Sequence, residues 1–209
     1  MKKILFYILS FTWGSIMTAI GCLATLGLLI AGHKPKKWGY CWYFEVGKGW
    51  GGVNLGPVFL VSKGSSVHTK NHEHGHGIQN CCLGPLMPLV VCLPSAARYW
   101  LTNMRLMGQK KNFSVALWAI AAIIGVALIV TGVFFTMTWL WILGVVMVVY
   151  FTILCYWLLF IETPKYLKGT VRYDDAWFEA DATARGDKLM KELGVTNGYN
   201  QIHENKNER

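Results

Sequence analysis

From Asn112 to Ile161 the chain carries no Asp, Glu, Lys or Arg. As one helix this stretch would be about 75 Å long, more than twice the roughly 30 Å of a bilayer's hydrocarbon core. It is therefore expected to fold back as a hairpin of two membrane spans, near residues 115–135 and 139–160. The turn falls at Thr136-Met137-Thr138, and Trp139, Trp141, Tyr150, Tyr156 and Trp157 include the aromatics expected near span ends. A second uncharged run lies between Lys3 and Lys34. It is longer than the h-region of about 7–15 residues in a cleaved signal peptide, so a third span over residues 4–31 is expected. Ser10, Gly14, Ser15, Gly21 and Gly27 along it favour close packing on another helix.

The composition agrees. Of 209 residues, 54% are hydrophobic and 15% charged, against a usual charged share of about 25%. The fold class expected is a mainly α membrane protein with three transmembrane helices and a small α+β part. Its divisions are residues 1–31 (first span), 32–114 (a polar loop), 115–161 (the hairpin) and 162–209 (a tail). The net charge of +9 is read as loops facing an anionic leaflet. No basic run is interleaved with aromatics as in a nucleic-acid groove, so no nucleic-acid partner is expected. None of the six cysteines forms C-x-x-C, which gives neither a disulfide framework nor a cysteine zinc site; Cys81-Cys82 is a weak metal candidate.

Charge asymmetry sets an orientation. Two Lys precede the first span, ten Lys and Arg lie in the 32–114 loop, and eight follow residue 160. The N-terminus is expected outside, with the loop and tail on the cytoplasmic side of the bilayer.

Within the loop, Tyr40-Cys41-Trp42-Tyr43-Phe44 and residues 53–61 are rich in β formers, and Gly47-Lys48-Gly49-Trp50-Gly51-Gly52 between them is a turn signal. A β-hairpin follows, with Pro57 on an edge strand. Ser65-Ser66 is a cap for the next helix and Gly84-Pro85 its end. Pro85, Pro88 and Pro94 argue against a straight span there and for a re-entrant or interfacial segment. The tail around residues 173–186 reads as an acidic helix with Gly186 as its C-cap.

The chemistry-bearing string is His72-Glu73-His74-Gly75-His76. On a helix, residues four apart share a face, so His72 and His76 can offer two imidazoles to one Zn²⁺. Glu73 follows the first ligand and can serve as general base toward water. His68 shares that face as a polar residue near the helix start or an oxyanion donor. His74 is expected to be solvated or to support the site, and Gln79 to support a ligand.

This H-E-x-x-H string resembles the zincin metallopeptidases. The longer string His72 to Gln79, with Gly84-Pro85-Leu86 and Pro94-Ser95, resembles a poorly characterised set of small bacterial membrane proteins with predicted zincin motifs. The resemblance implies a gluzincin-like third ligand, a Glu on a later helix. Glu179, in an E-x-x-A setting, takes that role, with Asp175 and then Asp181 as alternatives. Soluble gluzincins often carry an Asp four residues after the ligand; here that position is Thr183. The activity implied is zinc-dependent hydrolysis of membrane-associated or juxtamembrane peptides, with His68, Arg172 or Tyr173 as oxyanion donor. Zincins also pair extended substrate with an edge strand beside the active-site helix. The rival reading is a non-catalytic accessory or immunity-type membrane protein with a structural zinc. A metal-transport role is weaker, because no span interior carries a charged or His residue.

Overall fold

The computed structural model describes residues 2–104, 107–168 and 175–194. The chain divides into two compact units, residues 1–93 with 174–209, and residues 94–173.

In the first unit the N-terminal run is not one straight span. Helix α1 (Lys3–Phe11) and helix α2 (Ser15–Ile30) meet at 92°. Small and polar residues sit at the break, bonded both across it and to residues far along the chain. Asn80 Nδ2 donates to the Gly14 carbonyl at 3.2 Å, Thr18 Oγ1 to the Ser10 carbonyl at 2.7 Å, and Trp13 Nε1 to the Cys82 carbonyl at 3.3 Å. Gly14 is required at this approach: a Cβ there would lie 2.9 Å from Asn80 Cγ. The small residues serve helix packing, as expected of them, but they also turn the chain. Phe6 is fully buried with Cys41, Tyr43, Phe59, Val61 and Cys81.

Four strands follow: β1 (Lys36–Trp38), β2 (Cys41–Glu45), β3 (Gly52–Leu55) and β4 (Val58–Val61). The sheet order is β1-β2-β4-β3. The single hairpin expected between residues 40–44 and 53–61 is replaced by two. Strand β1 pairs antiparallel with β2, β3 pairs antiparallel with β4, and β2 runs parallel to β4. Pro57 is the reason. It sits in the turn after Gly56 (φ 79°) instead of on an edge strand and cuts the 53–61 segment in two. The glycine-rich link before Gly52 then carries the chain to the far edge.

Helix α3 (Val67–Leu83) carries the H-E-x-x-H string. Ser66 caps it, accepting from the Thr69 N–H at 3.1 Å, a cap worth about 1 kcal/mol. Gly84 ends it with φ 56°. Its middle is polar yet buried on nearly every side, from Asn71 to Gly77 and again at Gln79, Asn80 and Cys81. A polar helix enclosed in this way must have its polar groups bonded or put to use. It is continued by a 3₁₀ turn (Gly84–Leu86) and a π-helical turn (Pro88–Cys92), the irregular backbone that the three prolines call for.

The second unit holds helices α4 (Leu93–Asn103), α5 (Met107–Phe134), α6 (Thr138–Tyr156) and α7 (Thr163–Leu167), with a π-helical stretch Trp157–Glu162 after α6. The α5–α6 hairpin turns at Thr136 (φ 57°). Gly125 and Gly144 allow its helices to touch: a Cβ on Gly125 would lie 3.0 Å from the Gly144 carbonyl oxygen. Among the described residues two helices, both here, are long and apolar enough to cross a membrane, or up to four if each bent helix pair counts as one span. A buried ion pair, Arg98 Nε to Glu162 Oε2 at 2.8 Å, ties α4 to the π-helical stretch.

Helix α8 (Trp177–Glu192) returns to the first unit and packs along α3. Gly186 is not its C-cap. It is buried within the helix, where any side chain would overlap the Asn71 carbonyl.

Candidate metal centre

Three side chains from two helices converge. His72 and His76 lie one turn apart on α3, and Glu179 lies in the first turn of α8. The Nε2 atoms of His72 and His76 are 3.1 Å apart, and each is 3.1 Å from Glu179 Oε2. All three residues are buried, and their ligand atoms form a group able to hold a metal ion. Ligand atoms on a tetrahedral Zn²⁺, about 2.0–2.1 Å from the metal, stand roughly 3.3 Å apart. The triangle of two imidazole nitrogens and a carboxylate oxygen fits such an ion in donor chemistry and in size.

The outward nitrogens of the two rings are also held. His72 Nδ1 shares a hydrogen bond with Thr183 Oγ1 at 2.9 Å, and His76 Nδ1 donates to Gln79 Oε1 at 2.8 Å. With Nδ1 protonated, each Nε2 presents its lone pair to the centre. Thr183, four residues after Glu179, thus supports the first His with a hydroxyl. Gln79 is fixed in turn, its Nε2 donating to the Phe178 carbonyl at 2.7 Å and to Asp181 Oδ2 at 2.8 Å. Asp181 also accepts from Arg185 Nε at 2.6 Å, and Arg185 Nη1 reaches Cys82 Sγ at 3.6 Å. Burial disfavours the Asp181 charge, but its bonds to Arg185 and Gln79 outweigh this and lower its pKa. Burial likewise disfavours protonation of His76, yet the Glu179 carboxylate more than compensates and raises its pKa.

The α3–α8 crossing that brings the ligands together depends on small residues. A Cβ on Gly75 would overlap the Ala182 carbonyl, as one on Gly186 would overlap that of Asn71. The Gly in His-Glu-x-Gly-His and the Ala in E-x-x-A are therefore the two sides of one backbone contact.

Glu73 is buried beside the triangle. Its Oε2 has no hydrogen-bond partner among the described residues. Desolvation raises its pKa against the opposing pull of His76 and His72. Gly52, the first residue of β3, leaves it room: a Cβ there would lie 2.5 Å from Glu73 Oε1. Asn54, two residues along β3, donates to the Glu73 carbonyl at 2.8 Å and accepts from the Gly56 N–H at 2.8 Å. Neither residue was singled out by the sequence reading, and nothing in the sequence marks them beyond a Gly at a strand start.

His74 differs from the sequence expectation. It is fully buried, stacks on Phe6 at 5.9 Å, and accepts the Tyr40 N–H on Nε2 at 3.0 Å. Burial lowers its pKa to about 4. It is a core residue tying α3 to α1 and the sheet. His68 lies along the helix from His72, with ring centroids 6.4 Å apart, and is not in the metal group. Asp175 and Asp181 are not in it either. Cys81 is buried against Ser10 and the Phe6 carbonyl and Cys82 contacts Arg185, so neither joins the centre. Arg172 and Tyr173, the other oxyanion candidates, lie outside the described residues.

No family model matches this chain, and neither a curated protein nor a solved structure is significantly similar to it.

Proposed function

We propose that the chain is a membrane-embedded zinc metallopeptidase that hydrolyses peptide bonds near the cytoplasmic membrane surface. The observation that carries this reading is Glu73, a buried carboxylate with an unbonded oxygen set beside a His72–His76–Glu179 triangle. A carboxylate of that kind has no structural task, and leaving it desolvated is costly unless it transfers protons.

His72, His76 and Glu179 would hold the ion. Zn²⁺ so bound supplies a Lewis acid that polarises a scissile carbonyl and makes water acidic enough to attack near neutral pH. Glu73 takes the proton of the attacking water and passes it to the leaving amine. Asn54 anchors the Glu73 backbone from β3, and Gly52 leaves room for its carboxylate. Strand β3 is an edge of the sheet, and an extended segment of a membrane-associated peptide can pair along it.

The competing structural-zinc reading needs a fourth protein ligand, because a closed site leaves no position for substrate. Among the described residues the group has three members, which favours catalysis. The packing of α8 on α3 supports a common side for residues of the 32–114 loop and the tail, and the Lys and Arg bias supports a cytoplasmic side. The deciding experiment incubates zinc-loaded protein in proteoliposomes with a library of juxtamembrane peptides, comparing wild type with Glu73→Gln. Cleavage by wild type and none by the variant is expected. Equal cleavage, or a fourth protein ligand seen by X-ray absorption, would remove the reading.

A further inference from the structure

Gln79 links His76 to helix α8. Its Oε1 lies 2.8 Å from His76 Nδ1, and its Nε2 lies 2.7 Å from the Phe178 carbonyl and 2.8 Å from Asp181 Oδ2. A side-chain amide can be turned either way about its last bond, and its partners decide which. Here the decision starts at Arg185. A guanidinium only donates, and Arg185 Nε sits 2.6 Å from Asp181 Oδ2, so that oxygen is an acceptor. The Phe178 carbonyl can only accept. The end of Gln79 that faces both is therefore the amide nitrogen, whose two hydrogens match two acceptors. The amide oxygen is left facing His76, and Nδ1 of that ring must carry the proton between them.

His72 is held differently. Its Nδ1 meets the Thr183 hydroxyl at 2.9 Å, and a hydroxyl both donates and accepts. That bond orients the ring without settling which of its nitrogens is protonated. One imidazole of the pair is thus fixed by a chain of partners that ends in a donor-only group, and the other is adaptable. The difference matters to an ion, which needs a bare Nε2 and must first displace the proton of a ring protonated there.

We propose that Asp181 and Arg185 are positioning residues, which act through Gln79 to fix the tautomer of His76 and keep its Nε2 lone pair turned to the centre. Neither residue is in the metal group. Their side chains are 36% and 41% exposed, so truncating either opens no hole in the core. The inference rests on the His72–His76–Glu179 centre and is independent of peptide cleavage.

The test is nitrogen NMR of the metal-free full chain in detergent, with isotope-labelled histidine. In wild type His76 is expected to carry a proton on Nδ1. Asp181→Asn should keep that state, because its amide oxygen can accept from the same two donors. Asp181→Ala leaves Gln79 only the Phe178 carbonyl, and a second population of His76, protonated at Nε2 alone, should appear. A bare Nδ1 on wild-type His76, or an Asp181→Ala ring in the wild-type state, would overturn the proposal. These spectra need neither zinc nor cleavage, so their outcome is separate from that of the peptidase reading. Competition of zinc with a chromogenic chelator is the second measurement. Asp181→Ala should weaken zinc binding about 10-fold or more, as loss of a group supporting a ligating histidine does. Arg185→Ala should weaken it in the same direction, Asp181→Asn should stay close to wild type, and Lys188→Ala, exposed on α8, should have no effect. Wild-type affinity in Asp181→Ala would overturn the proposal.

Discussion

Gly75 of α3 and Ala182 of α8 touch backbone to backbone, so closely that a methyl group on Gly75 would occupy the space of the Ala182 carbonyl oxygen. This contact sets the distance between the helix carrying His72 and His76 and the helix carrying Glu179. Gly75→Ala gains helix propensity of at most about 1 kcal/mol. The overlap involves backbone on both sides and cannot be relieved by a rotamer change, so a net loss of roughly 1–3 kcal/mol is expected. Thermal unfolding in detergent would show it, together with weakened zinc binding because the triangle opens.

Zinc content should follow the triangle. Wild type is expected to hold about one zinc per chain. His72→Ala, His76→Ala and Glu179→Ala should each purify nearly free of metal, while Asp175→Ala retains it. Elemental analysis of the purified variants decides this. Loss of zinc in Asp175→Ala with retention in Glu179→Ala would move the third ligand.

Thr183→Val keeps the shape of the side chain but removes the hydroxyl that orients His72. A loss of about 10–100-fold in zinc affinity is expected, as for other residues that bond the far nitrogen of a ligating histidine. Gln79→Leu should act similarly through His76. Competition with a chromogenic chelator measures both, and affinities equal to wild type would show that ring orientation does not depend on these bonds.

Glu73→Gln should bind zinc normally and lose cleavage by about 10²–10⁴-fold, the usual worth of a positioned general base. Gly52→Ala should also lower turnover, since the new methyl would displace the Glu73 carboxylate. Metal content measured alongside turnover separates these effects from a broken centre.

His74 predicts a pH dependence of stability. Its pKa is about 4 in the fold against an ordinary 6.5. Above about pH 7.5 it is neutral in both states and contributes no slope. Below that, the unfolded chain takes up a proton that the buried ring refuses, so stability falls as the pH drops toward 4, by about 3 kcal/mol at most. Between pH 7 and pH 5, metal-free wild type should lose about 2 kcal/mol more than His74→Gln in detergent unfolding. Equal losses would remove His74 as the source.

Part of this protein is determined by local pattern alone. The absence of charge from Asn112 to Ile161 requires a long apolar hairpin, and the turn lies at Thr136 within the segment where uncharged length and polarity place it. The i, i+4 spacing of His72 and His76 puts two imidazoles on one face of any helix there, whatever surrounds it. Ser66 and Gly84 bound that helix through capping chemistry that needs no tertiary partner. Other features arise only between elements distant in sequence. The bend at Gly14 follows from its hydrogen bond to Asn80, the burial of His74 from α1 and the sheet closing on it, and the parallel pairing of β2 with β4 from a turn at Gly56-Pro57. The convergence of Glu179 on the two histidines depends on Gly75, Ala182 and Gly186, whose role as a close helix crossing has no periodicity to reveal it. Local pattern sets which residue types share a face or a turn; which faces meet is decided by packing, where one missing methyl group determines how near two helices can come.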